Sequence, residues 1–199
     1  MILFTGFEPF DNGKSNPSFE AVKLLPDRIN GVQVEKLELP VVFGEASETI
    51  IKRLEVEIPD AIIMTGLAAG REAITPEVVA INLADARIPD NAGNEPKWAR
   101  IIQDGPDGLF STLPVKQMVS DMEAAGLKAS LSYSAGTYVC NDTFYRVCNY
   151  IRAKAPKVPC GFIHVPAPKG MDKGTEFTLE DFAKAFEICA SAALKKALG

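Results

Sequence analysis

The sequence predicts a single-domain α/β protein with a largely parallel central sheet, and three observations predict it. The 199 residues correspond to one domain on the ~150-residue scale of typical domains. Hydrophobic residues make up 47% and charged residues 24%, ordinary globular proportions that exclude a disordered, collagen-like or coiled-coil chain. Short apolar runs, several rich in β-branched residues, alternate with longer helical patterns, as they do where helices layer on a parallel sheet.

The elements follow in chain order. Residues 2–5 form a short apolar run that reads as a strand. Asn16 as cap, Pro17 at the first helical position and Glu20 in the first turn predict a helix over about 17 to 25. A strand is expected at 32–39, a helix at 44–54, and strands at 61–65 and 78–83. Residues 84–110 are crowded with Asp, Asn, Gly and Pro, which predicts a long irregular excursion; loops of that length in a folded domain are commonly functional or disordered. A helix at 114–125, a strand at 129–133, a helix at 141–153 and a strand at 161–165 come next. A Pro- and Gly-rich mobile loop at 166–175 and an amphipathic helix at 179–198 complete the chain.

Charge and composition exclude several functions. Lys plus Arg is 21 against 26 for Asp plus Glu, a formal charge of -5, the wrong sign for neutralising a phosphate backbone, so nucleic acid is not an expected partner. The longest uncharged apolar stretch, around residues 61–64, falls far short of the ~20 residues of a membrane span. Residues 1–6 carry no basic segment and no signal-like apolar core, which predicts a cytoplasmic protein. The four cysteines, 140, 148, 160 and 189, are then expected as thiols. They contain no Cys-x-x-Cys pair and there is a single histidine, so no zinc site is expected. Gly13-Lys14-Ser15 suggests a phosphate loop, but the required upstream glycine position is Glu8, followed by Pro9 and Asp11. The stretch from Gly66 to Arg71 lacks the triple glycine of a dinucleotide site. No metal or cofactor is implied.

Nucleophilic chemistry remains. His164, the only histidine, ends the apolar run Gly161-Phe162-Ile163-His164-Val165-Pro166, at the C-terminal edge of the sheet where ligand sites of α/β folds collect. It is a hydrogen-bonded structural residue or a general base with a pKa near neutrality. Cys140 lies where the small-residue turn after Ser134 enters a helix. There the helix dipole and unpaired N–H groups favour a thiolate and can hold an oxyanion. Cys148, Cys160 and Cys189 read as small buried hydrophobes. A third group that orients the imidazole comes from Glu72, Glu77, Asp85, Asp90 or Asp142. Glu77, in Ile74-Thr75-Pro76-Glu77, is the best placed of these, or else it is a solvated strand end.

Six blocks in order, Thr5 to Phe10, Asn16-Pro17-Ser18, Ile74 to Glu77, Asp85 to Asn91, Ser134 to Asn141 and Gly161 to Pro166, together resemble the pyroglutamyl peptidase I (pyrrolidone-carboxylate peptidase) family. The resemblance spans nearly the whole chain. It implies a three-layer α/β/α fold with a mixed, mainly parallel central sheet over residues 1–199, and a cytosolic cysteine peptidase that removes N-terminal pyroglutamate from peptides without a cofactor. By that resemblance Cys140 is the nucleophile, His164 the base and acid, Glu77 the orienting group, and a thioester the intermediate. Arg87 matches the family's loop arginine near the oxyanion site. Phe7, Phe10, Asn16 and Tyr138 match the substrate pocket, where the first three also read as core aromatics and a helix cap. The resemblance further implies a homo-oligomer, a tetramer in many members.

Four positions depart from the family pattern: Tyr138 in place of Phe, Asp142 where His is expected, Val78 in place of a basic residue, and Leu67 in place of Gln. Tyr138 is expected to alter pocket polarity, and Asp142 to oppose a thiolate at Cys140. Two rival readings are a small-molecule enzyme of the same fold that holds an anion on Arg71 or Arg87, and a lactam-binding protein without turnover.

Overall fold

A computed structural model describes every residue except Asp11, Asn12, Lys14 and Gly199. The phosphate-loop comparison therefore rests partly on Asp11 and Lys14, outside the described residues. Strand β1 (Ile2–Phe7) leads into helix α1 (Pro17–Lys23), followed by β2 (Arg28–Ile29), β3 (Val32–Leu39), α2 (Glu45–Val56) and β4 (Ala61–Leu67). Then come β5 (Thr75–Pro76), β6 (Val79–Ile81), β7 (Gly108–Phe110), α3 (Val115–Ala124), α4 (Val139–Lys154), β8 (Cys160–Val165) and α5 (Leu179–Leu198). Among the described residues the main sheet has six strands in the order β2-β3-β1-β4-β8-β5. The ladders β3–β1, β1–β4 and β4–β8 are parallel, and the edge strands β2 and β5 are antiparallel. The expected mixed, mainly parallel sheet is borne out.

The two-residue period of the strands sorts side chains between two cores. Ile2 and Phe4 of β1, Ile63 of β4, and Ile163 and Val165 of β8 pack with α1, α3 and α5. Leu3, Ile62, Met64 and Phe162 face the other way and pack with α2 and α4. Helices on both faces explain why these strands read as continuous apolar runs rather than alternating ones. The same parity turns His164 and Gly66, even-numbered neighbours in the β4–β8 register, toward the face that carries α4.

Two expected strands differ from the structure. Residues 78–83 leave the main sheet, where β6 instead pairs antiparallel with β7 inside the long excursion. Residues 129–133 form no strand and contribute only single bridges, Ile74 to Ala129 and Glu77 to Ser132. The facing residues 74–77 contain Pro76, which has no N–H to donate, so the ladder is interrupted there. The short β2, β5 and β7 carry too few residues for a periodic pattern and were not expected.

Candidate functional site

β1 is followed by β3 on one side and β4 lies on the other, so the chain leaves the carboxyl ends of β1 and β4 in opposite directions. Such a switch point opens a crevice where ligands of open α/β sheets bind. Here the crevice is an apolar slot of about 160 Å³ lined by Phe7 from the end of β1, Leu67 from the end of β4, and Phe10, Val41, Tyr138 and Cys140. Asn16 is also on its wall. A wider cleft of about 490 Å³ continues from it, lined among others by Arg71, Asp85, Arg87, Cys140 and His164. Phe10, Leu67, Tyr138 and Cys140 border both cavities, so the thiol sits at their junction. A groove of about 600 Å³ elsewhere, walled by residues such as Glu72, Lys128 and Phe177, contains none of the candidate nucleophiles or bases.

Cys140 is the second residue of α4, after the cap Tyr138, and no side chain caps that helix end. The first-turn N–H groups therefore keep their capacity to meet an anion. The sequence expectation was a thiolate favoured by the dipole, and the structure differs. Burial pushes the Cys140 thiol up to about 12, with Glu77 adding to the rise against the smaller opposing effects of Arg71 and the backbone N–H. Desolvation outweighs the dipole because the half-buried Cys140 lies at the base of the two cavities, with protein rather than bulk water around most of it.

His164 is 3% exposed. Its Nδ1 lies 2.7 Å from Glu77 Oε1, and its ring packs at a tilt of 46° against Phe162 at a centroid distance of 4.7 Å. Burial lowers its pKa, with Arg71 adding to the lowering and Glu77 opposing it. Glu77 is fully buried. Burial raises its pKa, but the hydrogen bond with His164, the charge of that ring when protonated, the Ser132 hydroxyl and, least of these, Arg71 outweigh this and leave the carboxyl lowered overall. The pairing of Thr75 with His164 and Pro76 with Ile163 across β5 and β8 sets the acid beside the imidazole. The Glu77 N–H also donates to the Phe162 carbonyl at 2.9 Å.

The other four candidate carboxylates are engaged elsewhere. Glu72 pairs with Lys128 at 2.9 Å, and Asp85 accepts from the Trp98 N–H. Asp90 accepts from the N–H groups of Phe43, Ala92 and Asn94, bracing the loop over the slot. Asp142 accepts from the Gly44 N–H and from Arg146 Nε, each at 2.9 Å. It is therefore a paired structural acid, and the expectation that it opposes a Cys140 thiolate is corrected: burial and Glu77 raise that thiol.

The remaining expected residues divide between the two cavities. Phe7 and Asn16 belong to the slot, and Arg87 to the wider cleft. Asn16 also caps α1, accepting from the Ser18 N–H and hydroxyl while donating to the Glu8 carbonyl, so the helix-cap reading and the pocket position coexist. The Tyr138 ring packs on Phe10 and Phe43 at 5.4 and 5.2 Å. Its hydroxyl donates to the Pro89 carbonyl at 2.9 Å, tying the residue that caps α4 to the loop bearing Arg87. Arg71 donates to Glu77 Oε1, Thr75 Oγ1 and the Ser134 carbonyl, so its guanidinium already holds a carboxylate of the protein itself.

Sequence reasoning missed Asn141. Its side chain accepts from the Ile81 N–H and donates to the carbonyls of Ile81 and Leu83, tying the first turn of α4 to β6. Only its place beside Cys140 could have signalled this. Cys148 and Cys160, whose sulfurs are 3.8 Å apart, and Cys189 are buried thiols, in keeping with their reading as small hydrophobes. Among the described residues no three His, Cys, Asp or Glu side chains gather as a metal site, and no helix is long and apolar enough to cross a membrane.

Comparisons with known proteins agree on one family. Residues 1–196 match the family model described as pyroglutamyl peptidase. The chain is 47% identical over 165 residues to the pyrrolidone-carboxylate peptidase of Enterococcus faecalis, covering 83% of this chain and 78% of that protein. It is 42% identical over 198 residues to the one from Clostridium botulinum, covering 98% and 93%. The crystal structure of pyroglutamyl peptidase I from Bacillus amyloliquefaciens superimposes with a TM-score of 0.92 at 38% identity, covering 98% of this chain and 96% of that one.

Proposed function

Because this chain belongs to the pyroglutamyl peptidase family, whose members are peptidases, we propose that it hydrolyses the bond after an N-terminal pyroglutamyl residue, with Cys140, His164 and Glu77 as its triad. One observation carries this reading: Cys140 and His164 line one cleft, and Glu77 holds Nδ1 of that imidazole at 2.7 Å.

The chemistry follows from the protonation states. A thiol raised to about 12 and a neutral imidazole are the resting pair, and ionised Glu77 selects the tautomer with hydrogen on Nδ1. The free Nε2 then takes the thiol proton as Sγ adds to the pyroglutamyl carbonyl carbon. First-turn N–H groups of α4 are suited to the resulting oxyanion. When the C–N bond breaks, the imidazolium returns its proton to the leaving amine. Water, deprotonated by His164, then attacks the thioester, and the carbon–sulfur bond breaks to release pyroglutamate and restore the thiol.

Specificity follows from the two cavities. The small slot behind Cys140, walled by Phe7, Phe10, Leu67 and Tyr138, suits a flat, neutral lactam and disfavours a charged terminal amine by desolvation. The wider cleft then takes the leaving peptide. Cytoplasmic location and homo-oligomeric assembly complete the proposal, supported by the family resemblance; size-exclusion chromatography with light scattering tests the assembly.

The deciding experiment measures amine release from pyroglutamyl, prolyl and glutamyl amides under reducing conditions, with wild type and Cys140→Ala. Turnover is expected for the pyroglutamyl amide alone and is expected to vanish in the variant. A folded, reduced wild type that cleaves none of the three overturns the proposal.

A further inference from the structure

We propose that Arg71 is a positioning residue for the His164–Glu77 pair: its guanidinium shares one carboxylate oxygen with the imidazole and ties that carboxylate to the turn preceding Cys140. The substrate arm of its test rests on the peptidase reading above; the thiol arm does not.

The geometry is specific. Arg71 Nη1 donates to Glu77 Oε1 at 2.7 Å, the oxygen that also meets His164 Nδ1 at 2.7 Å. Nη1 also donates to the Thr75 hydroxyl, while Nη2 donates to the Ser134 carbonyl at 2.9 Å. One planar fork therefore joins the segment after β4, the strand β5, the acid, and the turn leading into α4. An ammonium group gathers its donors on one nitrogen at the end of a flexible stem, so it does not reproduce the spread of two fixed guanidinium nitrogens between Glu77 and Ser134.

The electrostatics give the fork a task. A fully buried carboxylate is costly unless its charge is matched. Without Arg71, the nearest group able to match Glu77 is His164, which would do so by becoming imidazolium. An imidazolium cannot accept the thiol proton. Arg71 meets that need with its own charge, so it adds to the burial that keeps the imidazole neutral, and the shared oxygen keeps the ring oriented. The charged and titratable groups around the ring are Glu77 after β5, Arg71 after β4, and Cys140 on α4, with Asp85 and Arg87 across the same cleft. Of these, only Arg71 joins Glu77 to the turn before Cys140. The anion that Arg71 was read as holding is thus part of the protein.

The test compares wild type with Arg71→Gln and Arg71→Lys, each checked for folding by circular dichroism. Two profiles are recorded against pH: kcat/KM for a pyroglutamyl amide, and the rate of iodoacetamide modification of Cys140, with Cys140→Ala as blank. Arg71→Gln is expected to lower kcat/KM about 10- to 100-fold, mostly through kcat. It is also expected to move the acid limb to higher pH and to slow alkylation at neutral pH. Arg71→Lys keeps the charge but not the fork, so its acid limb stays near wild type while kcat still falls. A purely structural role lowers the melting temperature without moving the limb. A folded Arg71→Gln with kcat/KM within about threefold of wild type and unmoved profiles overturns the proposal. If Arg71→Gln does not fold, full activity in Arg71→Lys overturns it. Were wild type to lack turnover while Arg71→Gln still slowed alkylation, the positioning role would stand and the peptidase reading would fall.

Discussion

Gly66 shows how tightly the site is built at the scale of single residues. A Cβ at this position would lie 2.9 Å from Cys140 Sγ and 2.8 Å from Phe162 Cζ, closer than van der Waals contact permits. Both atoms belong to the site, since Phe162 also supports the His164 ring. Gly66→Ala is therefore expected to displace the thiol, the imidazole or both. The expected cost is about 1–3 kcal/mol of stability for overpacking and a fall in kcat/KM of about 10- to 100-fold, the scale of a misplaced reacting group. Chemical denaturation and steady-state kinetics check the two effects, and wild-type kinetics in the alanine variant would refute the tight approach.

The element that organises the site is α4. Its N-terminus presents Cys140 and leaves first-turn N–H groups uncapped, and Asn141 anchors that end by three hydrogen bonds to Ile81 and Leu83. Removing the amide leaves half-buried backbone groups of Ile81 and Leu83 without this partner, a cost of about 2 kcal/mol. Asn141→Ala is thus expected to melt about 4–8 °C lower, given the size of the domain. Turnover should also fall in the intact fold, because the helix end that carries Cys140, the proposed nucleophile, loses its tie to β6. Differential scanning calorimetry beside the amide assay checks both, and an unchanged melting temperature would show that the anchor is dispensable.

Across the whole molecule, the shifted groups that titrate below neutrality act in one direction, while the raised cysteines bear only on alkaline pH. Burial lowers the pKa of His164. Glu77 ends below its ordinary value because its partners overcome burial, and Asp90 does so because Asn94 and several backbone N–H groups overcome burial. A depressed folded-state pKa means that the unfolded chain binds the proton more readily. The His164 contribution to stability is then complete above about 6.5 and is lost as pH falls below it. The Glu77 and Asp90 contributions are complete above about 4.5 and are lost at lower pH. Thermal scans should show the melting temperature falling from pH 7 to pH 5, and His164→Phe should flatten that window while leaving the steeper loss below it. A melting temperature that rose on acidification would contradict these shifts.

The sequence by itself determined the layered α/β plan, because apolar runs and capping signals such as Asn16-Pro17 are local and survive without their partners. It also determined which side chains have the right chemistry, since one histidine and one cysteine at a turn entering a helix left few choices. The residues alone left five carboxylates open, the family resemblance pointed to Glu77, and the tertiary structure shows why this acid meets the imidazole. Glu77 meets His164 because β5 runs antiparallel beside β8, and a two-residue strand containing proline leaves no periodic trace. The same holds for the protonation of Cys140. Its helix position favours a thiolate, but burial by chain segments distant in sequence overrides a dipole that the local sequence does reveal. Charge partners and desolvation are properties of the packed interior, so Asp142, Arg71 and Asn141 acquired their partners only when the chain folded.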